Sequence, residues 1–230
     1  MARTDTSGKL SGVVLTSDSR AVTALVELAL AAALLGVFAG LAGNVISGQA
    51  FAFDLPVISA VHHLSSPWLT VVMQATSATA STLGTTALAL VLCAHWWQVG
   101  RRPEAITLAV TLAGSAALGQ ALKLVFARPR PHLFSWLTTA TGWSFPSGHT
   151  LNAVTLAGLL IWLVGRRLNG WRRVVLNIAV ALWAALVGLS RVYLGVHYPS
   201  DVLGSLAAGG LCLLAAWGVN RFVRTWQKGE

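Results

Sequence analysis

Apolar residues run through this chain in long stretches, interrupted by short polar ones. Within the stretches no polar face repeats at helical spacing, so these segments are not the one-sided helices of a water-soluble domain. A helix needs about 20 mostly apolar residues to cross a bilayer. Six stretches are read as candidate spans: residues 21–46, 67–98, 105–126, 150–164, 174–189 and 202–222. The second would make roughly 48 Å of helix, longer than the hydrocarbon core. Its first half is rich in Ser and Thr over 75–86 and contains Gly84, which predicts a tilt, a break or an interfacial portion there. The last three spans sit near the short end of the allowed range. The expected fold is all-α, a polytopic integral membrane protein with six transmembrane helices. Its single domain covers 21–222, flanked by a segment 1–20 and a tail 223–230, both placed on the cytoplasmic side. No internal repeat or domain-separating linker is visible. A cleaved signal peptide is not expected, because the first apolar run is too long and no small-residue cleavage site precedes a soluble domain.

Composition agrees with that pattern. Of the 230 residues, 55% are hydrophobic and 10% charged, against roughly 25% charged in an ordinary soluble domain. That argues against a soluble globule, a disordered chain and a nucleic-acid-binding protein. Cys93 and Cys212 lie inside apolar runs and indicate no disulfide framework. The net charge of +9 from 16 Lys+Arg and 7 Asp+Glu suggests an anionic partner until the positives are placed. With six spans, twelve of them fall on one set of connections: Arg3, Lys9, Arg20, Arg101, Arg102, Arg166, Arg167, Arg172, Arg173, Arg221, Arg224 and Lys228. Basic residues on short loops favour the cytoplasm, so both termini are expected there. Only Lys123, Arg128, Arg130 and Arg191 lie at the opposite, extracytoplasmic face.

Those four keep notable company. Three short stretches converge on the same face: Lys123 to Pro131, with Arg128 and Arg130; Pro146-Ser147-Gly148-His149; and Ser190-Arg191 through His197 to Asp201. Ionisable groups at membrane depth are functional-site candidates. Lys123, Arg130 and Arg191 can neutralise a phosphate and the charge spread over its oxygens during transfer. Ser147 and Gly148, before a helix start, offer a hydroxyl and backbone N–H groups to an anion. A neutral imidazole can attack phosphorus when a carboxylate holds its other nitrogen, and His197 with Asp201 has the spacing for that. His149 would protonate the leaving oxygen and then activate water. A two-metal site needs clustered carboxylates. Asp201 is the only acid in these stretches, and among the others only Asp54 is expected at the outer face, so no metal and no cofactor are expected.

The pattern Lys-x6-Arg-Pro, Pro-Ser-Gly-His and Ser-Arg-x5-His-x3-Asp resembles the signature of the type-2 phosphatidic acid phosphatase superfamily. It reads here Lys123…Arg130-Pro131, Pro146-Ser147-Gly148-His149 and Ser190-Arg191…His197…Asp201. The six-span layout is similar to that of the bacterial membrane members. The resemblance implies a phosphohistidine on His197, oriented by Asp201, with His149 as acid. It also implies that Lys123, Arg130, Ser147, Gly148 and Arg191 hold the phosphate, that no metal takes part, and that vanadate mimics the transition state. The expected partner is a membrane lipid phosphate: undecaprenyl diphosphate, phosphatidylglycerol phosphate or phosphatidic acid, at the outer face of a bacterial inner membrane. The alternatives weighed are a membrane phosphatase for a soluble ester, a vanadate-dependent haloperoxidase, which the composition disfavours, and a silent lipid-binding or transport protein. Arg128, also followed by proline, shares a face with Arg130 in an extended segment and is assigned a supporting role. The aromatic loop 132–145 is read either as an interfacial anchor or as an aid to headgroup entry, and His62-His63 as a loop feature.

Overall fold

A computed structural model describes residues 17–49 and 51–226 of the chain. The readings placed on 1–16 and 227–230, with Arg3, Lys9 and Lys228, lie outside the described residues, as does the Arg20 side chain. Among the described residues all regular structure is helical: α1 Ser17–Ile46, α2 Asp54–His62, α3 Pro67–Thr79, α4 Thr82–Gln98, α5 Arg102–Phe126, α6 Gly148–Leu163, α7 Gly170–Tyr193 and α8 Pro199–Trp226, with a 3-10 turn at Gly165–Arg167.

Five helices are individually long and apolar enough to cross a membrane; α3 and α4 make a sixth crossing only if the bent pair is counted as one span. The expected irregularity in the second span is a 50° bend between Thr79 and Thr82. Gly84 makes the bend possible, since a Cβ there would lie 2.6 Å from the Ala78 carbonyl oxygen. Ser81 starts α4 again by accepting the Gly84 N–H at 3.1 Å. The chain interrupts its backbone ladder in a protected place: Ala80 is fully buried and its carbonyl accepts from Asn152 at 3.3 Å.

The last three spans are longer than the apolar pattern implies. Arg191 sits in the last turn of α7 and Asp201 in the first turn of α8, so both are helical rather than loop residues. A further element, α2, occupies the segment read as a loop after the first span.

α6 is the hub. Half of its apolar stretch is buried, against 17% of α7's, and it packs on α4, α5, α7 and α8. Small residues let the backbones close up. A Cβ on Gly158 would overlap the Leu213 side chain, and one on Gly204 would meet Phe145 at 2.6 Å. Polar pairs tie the same helices together, Ser115 with Thr155 at 3.1 Å and Asn220 with Thr107 at 2.9 Å. The side chains facing outward from the spans are large and apolar, as lipid contact requires; Leu25, Leu124 and Val125 are examples.

Candidate active site

Four helix ends and one loop meet where α5 finishes, α6 begins, and α7 passes into α8. α5 stops because Ala127 turns left-handed, at φ 43°. The Arg128-Pro-Arg130-Pro131 segment that follows is irregular, as expected where two prolines disfavour helix in the residues before them. Ser147 caps α6, its hydroxyl accepting from Thr150 Oγ1 at 3.0 Å. The Ser147 N–H donates to the Asp201 carbonyl at 3.3 Å, and the Ser205 hydroxyl reaches both the Ser147 and Asp201 carbonyls. The starts of α6 and α8 are thus stapled together, which fixes His149 relative to His197.

The result is a cavity of about 480 Å³. Of the residues singled out in the sequence, Lys123, Arg130, Gly148, His149, Arg191 and His197 line it. Asp201 stands behind His197. Ser147 serves α6 with its hydroxyl, and Gly148 rather than Ser147 lines the cavity. Gln120, Asn152 and the loop residues Thr139 to Trp143 complete the wall.

His197 is 1% exposed and held at both ring nitrogens. Arg130 Nη1 donates to Nε2 at 3.1 Å, and Asp201 Oδ2 lies 3.2 Å from Nδ1. A guanidinium nitrogen can only donate, so Nε2 accepts and the ring proton resides on Nδ1, donated to the carboxylate. Burial, followed by the positive charges of Arg191, Arg130 and Lys123, holds His197 well below the ordinary histidine range. The ring is therefore neutral, with its lone pair on the nitrogen that faces the cations.

Arg128 and Arg130 divide the work around this pair. Arg128 grips Asp201 Oδ1 at 2.5 Å from the far side, while Arg130 reaches the imidazole. All five Arg130 donors are engaged: the carbonyls of Gly142, Val196, Thr141 and Trp143 take four, and His197 the fifth. Arg191 is 4% exposed, donates from Nη1 to the Ser77 hydroxyl, and has an Nε with no hydrogen-bond partner among the described residues. Among the described residues no three His, Cys, Asp or Glu side chains gather as a metal-ligand set.

Sequence reasoning passed over two participants. Asp54, on α2, accepts from Arg128 Nη2 at 2.9 Å and from the Ser200 N–H and hydroxyl at 2.9 and 2.6 Å. The only signal it gave was being the second acid at the outer face. Ser77 was hidden in the Ser/Thr-rich half of the second span.

The family model described as the PAP2 superfamily matches residues 104–224, the stretch from the start of α5 into the last turn of α8 that supplies every charged group around the cavity. The chain belongs to the PAP2 superfamily. Within it, the chain is similar to phosphatidylglycerophosphatase B of Bacillus subtilis, with 27% identity over 178 residues, 76% of this chain and 87% of that protein. It also matches the undecaprenyl-diphosphatase BcrC of the same organism, at 32% identity over 52% of this chain and 61% of that one. Two solved structures share the fold. The crystal structure of a transmembrane PAP2-type phosphatidylglycerolphosphate phosphatase from Bacillus subtilis superposes with a TM-score of 0.76 at 26% identity, over 84% of this chain and 96% of that chain. Aquifex aeolicus LpxE gives 0.61 at 25% identity, over 73% and 96%. This PAP2 chain is a phosphatase and an integral membrane protein.

Proposed function

We propose that the chain is a metal-independent lipid phosphate phosphatase that works through a phosphohistidine on His197. The observation that carries this reading is the line Asp201–His197–Arg130, which leaves a neutral ring nitrogen at the edge of a cavity walled by Lys123, Arg191 and His149. A phosphate entering there takes the Arg130 Nη1–H from His197 and meets the unpartnered Nε–H of Arg191 and the Lys123 ammonium, with Gly148 opening the start of α6. Ser147 contributes by capping α6. Nε2 attacks phosphorus and the ester or anhydride P–O bond breaks. His149 gives its proton to the departing oxygen. Asp201 stabilises the imidazolium-like phosphohistidine through Nδ1–H. His149 then takes a proton from water, whose oxygen attacks phosphorus. The N–P bond breaks, inorganic phosphate leaves, and the imidazole is restored. A site walled by three cations would repel a metal ion, which supports the metal-free reading.

A lipid substrate is favoured by a second, largely apolar cavity of about 230 Å³ between α4 and α5. It shares Thr82, Ala116 and Asn152 with the first and continues along Ala89, Leu90 and Leu112. A headgroup can reach His197 from there while its chain stays in an apolar track. The names of the relatives make undecaprenyl diphosphate and phosphatidylglycerol phosphate the first candidates, and the motif resemblance adds phosphatidic acid. The distribution of basic residues supports cytoplasmic termini and an extracytoplasmic site in a bacterial inner membrane, with 21–222 as one membrane domain.

The test is phosphate release in detergent with EDTA present, across these lipids and a short soluble phosphate ester. Turnover of a lipid phosphate, insensitive to EDTA and abolished in His197→Ala, is expected. Strong EDTA inhibition removes the metal-free mechanism, equal turnover of the soluble ester removes the lipid preference, and no release from any substrate favours a silent binding protein.

A further inference from the structure

The outer helix α2 lies outside the matched family region, yet its first residue is wired to the carboxylate behind His197. Asp54 Oδ2 takes the Arg128 Nη2–H at 2.9 Å, and Arg128 Nη1 is donated to Asp201 Oδ1 at 2.5 Å. Asp201 Oδ2 is left for His197 Nδ1–H at 3.2 Å and the Tyr198 N–H at 2.9 Å. Asp54 also holds the first turn of α8 itself, accepting from the Ser200 N–H and hydroxyl, one residue before Asp201. The three charged side chains are nearly dry: 1% exposed for Asp54, 10% for Arg128 and 0% for Asp201. The Arg128 guanidinium lies 4.0 Å over the Tyr198 ring, which covers it on one face.

This arrangement has a chemical consequence. A guanidinium facing one carboxylate alone tends to take both oxygens in a fork and to neutralise it. Asp54 diverts one Arg128 nitrogen, so Asp201 gives up only Oδ1 and keeps Oδ2 in line with the imidazole. Two carboxylates sharing one guanidinium also leave the buried trio one negative charge in excess. That charge is what the cation forming on His197 needs.

We propose that Asp54, acting through Arg128 and Ser200, is a positioning residue that aims the Asp201 carboxylate at His197. The proposal rests on the reading of His197 as the nucleophile. It gives α2 a part in the reaction although no α2 side chain lines the cavity.

The experiment is steady-state turnover of a lipid phosphate by purified, folded Asp54→Asn and Asp54→Ala, with melting temperature and inhibition by inorganic phosphate measured alongside. Loss of outer supporting partners typically lowers activity by about 10- to 100-fold, and a kcat loss in that range is expected. KM and the phosphate inhibition constant should stay within about twofold of wild type, because Asp54 touches no phosphate ligand. The decisive readout is coupling: Asp54→Asn added to Asp201→Asn should lower kcat no further than Asp201→Asn alone. A merely structural role would lower it equally in both backgrounds. Wild-type kcat in a folded Asp54→Ala, a loss confined to KM, or full additivity with Asp201→Asn overturns the proposal; if the alanine variant does not fold, Asp54→Asn carries the same comparison. Unimpaired turnover by His197→Ala would instead overturn the nucleophile assignment, and it is read on a different variant.

Discussion

Two arginine-rich clusters sit at opposite ends of α5, and they do different things. At its start, the buried Glu104 gathers Arg166, Arg167, Arg224 and Arg101 on one oxygen, at 2.8, 2.9, 3.0 and 3.8 Å. At its end, roughly 28 Å along the helix, Lys123, Arg130 and Arg191 surround a cavity, and the nearby carboxylate Asp201 is held behind His197 by Arg128. In the first cluster the negative partner is built in and fills the centre, so the cations tie the 3-10 turn and α8 to α5. In the second the centre is open, and on the proposed reading the negative charge arrives with the substrate. The number of arginines therefore says little about function; the position of the carboxylate decides.

The sharpest way to break this contrast is to remove one cation from each cluster. Arg191→Ala should lower kcat by about 10²- to 10³-fold, the scale of losing one donor to a developing oxyanion, whereas Arg224→Ala should leave it within about twofold. Comparable losses would mean that the Glu104 cluster also serves the chemistry. Within the open cluster, Arg130→Ala should hurt more than Arg128→Ala, and the reverse order would exchange their roles.

Acid tests the open cluster through its histidine. Because His197 is held well below its ordinary range, it stays neutral where a free histidine, near pH 6.5, would charge. The limb of kcat/KM set by His197 should thus lie below pH 6.5. Lys123→Ala removes a positive neighbour and should move that limb to higher pH. A limb unmoved by the substitution does not belong to His197. The unfolded chain binds a proton at this histidine where the native one does not, so stability is expected to fall as pH drops from about 6.5, which thermal melts in detergent can follow.

Smaller effects separate stability from chemistry. Glu104→Gln should lower melting temperature by several degrees, reflecting about 1–3 kcal/mol, because its arginine partners are exposed enough to rehydrate. The kcat of the folded protein should not change. A kcat loss without a melting shift would join the two clusters after all. At the cavity mouth, Trp143 is 41% exposed and lines the wall, while Trp136 donates to the Pro131 carbonyl at 2.7 Å and packs with Leu194 and Val196. Trp143→Ala should reduce kcat/KM for a lipid phosphate by about fivefold, the scale of one lost apolar contact, and spare a short soluble ester. Trp136→Ala should impair both substrates together; if Trp143→Ala does the same, it is an anchor.

The open cluster was legible in the sequence for a physical reason. Charges are scarce in an apolar chain, so Lys123, Arg130, Arg191, His149, His197 and Asp201 stood out individually, and span counting put them on one side. The bend at Thr79–Thr82 was legible too, because Gly84 and its hydroxyl neighbours cannot sustain a straight apolar helix. The ends of α7 and α8 were misjudged, since a hydropathy pattern stops at Arg191 and Asp201 while their hydrogen-bond ladder does not. Asp54 was unreadable in role because its partners lie 74 and 146 residues away, and α2 is too short for its pattern to stand out. Arg130 was recognised as a cation, but its four carbonyl acceptors are backbone atoms that residue identity does not reveal.

The most direct measurement is to quench the enzyme during turnover of a lipid diphosphate carrying labelled terminal phosphate, and to locate any protein-bound label by mass spectrometry. Acid-labile, alkali-stable phosphate on His197, absent in His197→Ala and formed with EDTA present, is expected. Label on another residue, or steady turnover with no protein-bound phosphate at any quench time, would contradict it.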